Sequence, residues 1–292
     1  MTYTFTNGAE LLSLCEKYSM PISRVMLLSE SERSEQSGEY ILSELGKNLE
    51  VMEQSIKSGL NKANSPHGVF AGGDAVKMLD YAPLSWLGRD MAQVVAAAVA
   101  VVEVNASMGR IVAAPTAGAS GILPAVLIVC GEKRGFSKEQ LCEGLLTAGA
   151  VGAVIARNAS IAGASGGCQA ETGTAAAMAA AALTELSGGT PAQALTAAAI
   201  ALKNIMGLIC DPVGGLVECP CVKRNAIGSV NAVLSCDMAM AGIESLIPFD
   251  EVVDAMRRVG EAMSPDFRET ARGGLADTET GKALSKRIKQ PE

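Results

Sequence analysis

The chain has 292 residues, of which 49% are hydrophobic, 19% charged and only 3% aromatic; its 24 Lys and Arg against 31 Asp and Glu leave a net charge of −7. This length and apolar content exclude bulk disorder and allow one large domain or two ordinary ones, while the acidic balance argues against nucleic acid and anionic membrane as main partners. The apolar share is Ala, Val, Ile, Leu and Met beside 31 Gly, with one Trp, four Tyr and five Phe, so the core must be built from closely approaching backbones rather than large rings.

Residues 1–60 are the polar part, and residues 1–64 read as an N-terminal helical arm. The opening MTYTFTNGAELL has no basic region followed by an apolar one, so no signal peptide is expected and the expected compartment is the cytoplasm. Asn7 to Tyr18 predicts a short amphipathic helix. Pro21 opens a longer one carrying Ile22, Val25, Met26 and Leu28, and Tyr40 to Leu60 places Ile41, Leu42, Leu45, Leu49, Met52 and Ile56 at helical spacing. The charged, serine-rich stretch Ser29 to Ser37 reads as exposed.

From Ser65 the composition changes, and residues 65–292 read as a second segment continuous with the arm. Ser65-Pro66 resembles a cap followed by proline in a first turn. Asp90 to Val104 is a long apolar, Ala-rich run that favours helix. Ile111 to Gly131 is the longest uncharged stretch, but Pro115 and Pro124 break it, so it reads as buried core rather than a membrane span. Ser137 with Gln140 forms a capping box ahead of a helix to about Ile155. Glu171 to Leu186 is almost pure Ala. Thr190-Pro191 opens a helix to about Ile205, Arg224 to Ala241 gives another, and Pro248 starts one more to about Met263. No period-two alternation appears, so the expected fold class is all-α: an Ala/Gly-rich helical domain with irregular Gly-rich loops.

The pentapeptide Ala-Gly-Ala-Ser-Gly occurs at 117–121 and again at 162–166. Gly-rich backbone before a helix offers free N–H groups to an anion; simple helix punctuation is the alternative. Of the eight cysteines, Cys15, Cys130, Cys142 and Cys236 lie within apolar helical runs and read as small core hydrophobes. Cys168, Cys210 and Cys221 border Gly or Pro turns instead, where thiolates are stabilised by backbone N–H groups. Their long gaps lack the C-x2-C pattern, so spacing leaves zinc and iron–sulfur ligation both open. A cubane cluster held entirely by protein takes four cysteines. Three would leave one iron open to substrate, the signature of Lewis-acid catalysis.

At these residues the chain closely resembles the α subunit of the iron–sulfur-dependent L-serine dehydratases (L-serine ammonia-lyases). The matching segments are Gly-Arg-Ile-Val-Ala-Ala-Pro-Thr-Ala-Gly-Ala-Ser-Gly-Ile at 109–122 and Asn-Ala-Ser-Ile-Ala-Gly-Ala-Ser-Gly-Gly-Cys-Gln-Ala-Glu at 158–171. They continue with Cys-Asp-Pro-Val-Gly-Gly at 210–215, Pro-Cys-Val-Lys-Arg-Asn-Ala at 220–226 and Arg-Glu-Thr-Ala-Arg-Gly-Gly-Leu at 268–275. The resemblance implies a [4Fe–4S] cluster on Cys168, Cys210 and Cys221, with Cys219 off the family's ligand position. It also implies an enzyme that deaminates L-serine to pyruvate and ammonia, working with a separate β subunit. Substrate contacts are expected from Thr116, Ser120, Asn158, Ser160, Arg224 and Asn225, the last four equally readable as hydrogen-bond partners that orient the thiolates. Arg268 and Arg272 are undecided between anion binding and a structural role.

The catalytic base is open. His67, the only histidine, reads as an exposed loop residue or as the base; the resemblance points instead to a histidine of the β chain. No lysine stands in a setting that suggests the Schiff base of pyridoxal phosphate, so that cofactor is not expected. The alternatives are a related lyase acting on L-cysteine or L-threonine, a non-catalytic iron–sulfur subunit for electron transfer, and a zinc hydrolase.

Overall fold

The computed structural model describes residues 2–289; residue 1 and residues 290–292, at the outer ends of the two expected segments, lie outside the described residues. Among the described residues the fold is all-α, 71% helical, with only isolated bridges, His67 with Gly72 and Cys210 with Arg268. Three helices form the front of the chain: α1 (Gly8–Tyr18), α2 (Ile22–Ser34) and α3 (Gly38–Gly59). Asn7 starts α1 as expected, its side chain accepting the Glu10 N–H. The stretch Ser29–Ser37 is mostly the last turns of α2, which runs to Ser34.

Next come α4 (Asp74–Tyr81) and α5 (Arg89–Ala106), then a broken helix: α6 (Ile122–Pro124), a π turn over Ala125–Val129, and α7 (Cys130–Arg134). No helix starts at Ser65-Pro66. The N–H groups of Val69, Phe70 and Ala71 go to the Glu218 carboxylate instead of helix carbonyls, and the buried Ser65 hydroxyl has no partner among the described residues. The remaining helices are α8 (Lys138–Asn158), α9 (Gly163–Gly166), α10 (Thr174–Leu186), α11 (Pro191–Ile205), α12 (Cys221–Met240), α13 (Phe249–Ala262) and α14 (Glu279–Lys289). Ser137–Gln140 and Thr190–Gln193 both close capping boxes, at the starts of α8 and α11. The Ala run expected as one helix from Glu171 begins as a π turn, Gln169–Gly173, and becomes α-helical at Thr174.

Helix α10 is the centre of the molecule, packed against α8, α11 and α12. Every residue from Thr174 to Thr184 is buried, as expected of a helix that is apolar all round. Around it, α5 packs on α12, α4 and α3, and α2 packs on α8. Helix α8 is long and apolar enough by composition to cross a membrane, but 67% of that window is buried against its neighbours. Leu11, Ile22, Val25, Leu49 and Met52 of the first three helices share one core with α8, α10 and α11.

The missing aromatics are explained by how closely backbones meet. A methyl on Gly59 would fall on the carbonyl and Cβ of Ala100 in α5, whereas one on Gly149 of α8 meets nothing within 4 Å. Gly59→Ala is therefore expected to destabilise by about 1–3 kcal/mol through overpacking. Gly149→Ala should stabilise by about 0.5–1 kcal/mol through helix propensity. Chemical denaturation of the two variants checks both signs.

Candidate active site

Three chain segments bring the three turn-bordering cysteines together. Cys168 immediately precedes the π turn that leads into α10, and Cys221 is the first residue of α12. Both thiols therefore stand at helix starts, where the dipole is positive. Cys210 lies in an extended segment that pairs with the 267–269 stretch: its N–H donates to the Phe267 carbonyl at 2.7 Å, and its carbonyl accepts the Glu269 N–H at 2.8 Å. Cys168 and Cys210 are each 4% exposed, and Cys221 is partly buried.

Cys168 raises both of the other thiols. Burial pushes the Cys221 thiol up to about 12, and Cys168 and Glu171 add to it. Burial also raises Cys210, helped by Glu171, Cys168 and Cys221. Cys168 is raised by burial too, against the lowering effect of the Thr172 hydroxyl 3.1 Å from its sulfur and of Arg224.

Glu171, unremarked in the sequence although it closes one of the matched segments, stands among these thiols. One carboxylate oxygen accepts the Thr116 hydroxyl at 2.6 Å and the other lies 3.8 Å from Cys210 Sγ. Burial raises its pKa, and Glu269 adds to the effect. The glycines of both pentapeptide loops make room: a Cβ on Gly118 would stand 3.2 Å from Glu171 Oε1, and one on Gly163 would stand 2.7 Å from Oε2 and 2.9 Å from Cys210 Sγ. The recurring loops thus pack against the same carboxyl, a juxtaposition that only the fold reveals.

Two further residues brace the site. Arg224 donates to Asp211 at 2.7 Å and to the Ile209 carbonyl at 2.8 Å, flanking Cys210 on both sides. Asp211 is 2% exposed and also accepts the Leu275 N–H at 2.8 Å. Asn225 accepts the Gly121 N–H at 2.9 Å and donates to the Gly118 and Cys221 carbonyls at 2.7 and 2.9 Å. It therefore ties the first pentapeptide loop to the start of α12.

The other expected site residues are placed differently. Ser120 is fully buried, its hydroxyl on the Ala117 carbonyl. Asn158 ends α8 with its amide on the Thr6 and Val154 carbonyls, and Ser160 accepts the Ala162 N–H in a local turn. His67 lies on an exposed loop with Nδ1 against the Ser65 carbonyl at 2.7 Å. Arg272 pairs with Asp266 at the surface, and Arg268 sits in the segment alongside Cys210. Among the described residues no three His, Cys, Asp or Glu side chains are grouped as they would be around a single metal ion.

Comparison with known proteins bears on this arrangement. The profile of the family described as serine dehydratase alpha chain matches residues 17–276. A probable L-serine dehydratase α chain of Bacillus subtilis is 50% identical over 286 residues, covering 97% of this chain and 95% of that one. The L-serine dehydratase α chain of Peptoniphilus asaccharolyticus is 45% identical over 277 residues, 94% of this chain and 95% of that one. A longer L-serine dehydratase of Streptomyces coelicolor is 40% identical over 285 residues, which is 94% of this chain but 61% of the relative.

The buried Arg224–Asp211 pair gives a direct prediction. Arg224→Met leaves the Asp211 carboxylate without its cation and should cost about 3–5 kcal/mol. Adding Asp211→Leu should recover part of that loss, so a double-mutant cycle by chemical denaturation is expected to show strong coupling.

Proposed function

The chain belongs to the serine dehydratase α-chain family, and from that premise we propose that it deaminates L-serine to pyruvate and ammonia at the three-thiol site, together with a β subunit. The observation that carries this reading is the convergence of Cys168, Cys210 and Cys221 from three separate segments on Glu171 and Arg224, with Cys168 raising both other thiols and Cys221 raising Cys210.

The donor set fits a [4Fe–4S] cluster. Each thiolate of a cubane binds a different iron, so its ligands stand wider apart than those around a single ion. Cys168, Cys210 and Cys221 would hold the cluster, leaving Cys219 outside the set. When bound, it supplies an iron with a free coordination position, a Lewis acid for the substrate carboxylate and the leaving β-hydroxyl.

The chain's own residues orient and enclose. Thr116, with its hydroxyl fixed on Glu171, and Arg224, held by Asp211, present polar groups at the thiols. Asn225 fixes the first pentapeptide loop, and Ser120 stiffens it from within. Loss of the Cα proton and the β-hydroxyl as water converts serine to 2-aminoacrylate, which tautomerises to the imine and hydrolyses to pyruvate and ammonia. In this reading the base that takes the Cα proton comes from the β subunit. The naming of the Bacillus and Peptoniphilus relatives as α chains supports a second subunit.

Anaerobically purified protein is expected to be brown and to contain iron and acid-labile sulfide. Cys168→Ala, Cys210→Ala and Cys221→Ala should each abolish both, while Cys219→Ala keeps them; the reverse outcome at 219 and 221 would reassign the third ligand. With the β subunit added, serine should yield pyruvate. Faster turnover of cysteine or threonine would identify a different lyase, and full activity of the isolated chain would contradict the need for a partner.

A further inference from the structure

Three residues before Cys221, the Glu218 side chain is 4% exposed. Its carboxylate accepts three consecutive backbone N–H groups from a segment 147 to 149 residues away: Val69 at 3.0 Å, Phe70 at 2.6 Å and Ala71 at 2.8 Å. Among the described residues no Lys or Arg pairs with it within 4 Å, so backbone amides are its direct partners. Gly68 packs directly on the same group, since a Cβ there would stand 2.6 Å from Oε2. The segment is closed on itself by the Gly68 N–H donating to the Ala71 carbonyl at 2.7 Å.

The other end of this contact is the cysteine turn. The Val222 N–H donates to the Glu218 carbonyl at 3.0 Å, and the Val213 N–H donates to the Cys219 carbonyl at 2.8 Å. Side-chain and backbone bonds of Glu218 therefore meet where the chain turns into α12. A second tie between the same regions, Lys223 to Asp74 at 2.5 Å, is largely exposed and contributes little. Helix α12 is also anchored through Asn225, Gly228, Ser229 and Ala232, which are buried, while its Val222 shares a small apolar cluster with Ala71 of the same loop.

We propose that Glu218 is a positioning residue for the third thiol: its grip on the Gly68–Ala71 loop holds the Cys219–Pro220–Cys221 turn in place and so sets how Cys221 faces Cys168 and Cys210. The inference rests on Cys221 being a cluster ligand. Glu218→Ala leaves three N–H groups without their acceptor, that of Ala71 buried and those of Val69 and Phe70 partly so. Glu218→Gln keeps one accepting oxygen but turns donor protons toward amide donors, so it should rescue only partly. Gly68→Ala disturbs the same contact from the loop side.

The test uses the full chain with its β subunit. In metal-free protein under native conditions, alkylation of Cys221, read by mass spectrometry, should be about tenfold or more faster in Glu218→Ala through local opening, less so in Glu218→Gln, and unchanged at Cys15, Cys142 and Cys236. After anaerobic reconstitution, Glu218→Ala and Gly68→Ala should hold less iron and sulfide than the parent. Parental labelling and cluster content in both variants, whatever happens to the melting midpoint, would overturn the proposal. If Cys221→Ala keeps its cluster, the ligand assignment falls instead, and the labelling rates still decide whether Glu218 holds the turn.

Discussion

Backbone-to-backbone contact between helices is the constraint on which the rest of this chain depends. Gly59 lies on Ala100, Gly121 on the carbonyl of Ala98, and Gly260 on the Cα of Gly166, each with no room for a methyl group. Dense packing of small residues recovers in dispersion what large rings would otherwise provide. Gly121 also shows how this packing reaches the site. The residue is pressed against α5 and donates its N–H to Asn225, so the first pentapeptide loop is trapped between α5 and α12.

A core of this kind has few polar side chains to fix the order of its elements, and buried or half-buried carboxylates take over that task. Glu103 accepts the Asp74 N–H at the start of α4. Glu185 accepts those of Ile22 and Ser23 at the start of α2 and also the Thr147 hydroxyl. Asp250 accepts those of Gly8 and Ala9 at the start of α1. Each is an acid at a positive helix end, contributed by a distant element. The acidic balance of the sequence is thus partly architectural. The thiol site differs in kind: Glu171 faces sulfur and a hydroxyl there, and Arg224 is the cation beside Cys168.

Most helices were legible because their signals are local. Asn7, Ser137 and Thr190 cap as their side chains dictate, and heptad-like spacing marks α3. Ser65-Pro66 misled because a remote carboxylate, Glu218, took the amides that a helix would have used. The π turn at Gln169–Gly173 was invisible in an Ala-rich run whose propensity favours plain α-helix. At the site, the three cysteines were singled out by their turns. Glu171 was missed because its role comes from meeting Thr116 and Cys210, 55 and 39 residues away. Asn158 shows the converse: it lies in a matched segment, yet its amide reaches the Thr6 carbonyl.

The central claim is that three thiols hold a cluster and leave one iron free for substrate. Mössbauer spectroscopy of iron-57-reconstituted protein, with its β subunit and with or without L-serine, tests it most directly. The account predicts one iron distinct from the three thiolate-bound ones, with parameters that change when serine is added while the other three stay fixed. Four equivalent irons unaffected by serine, or no cluster at all, would contradict it.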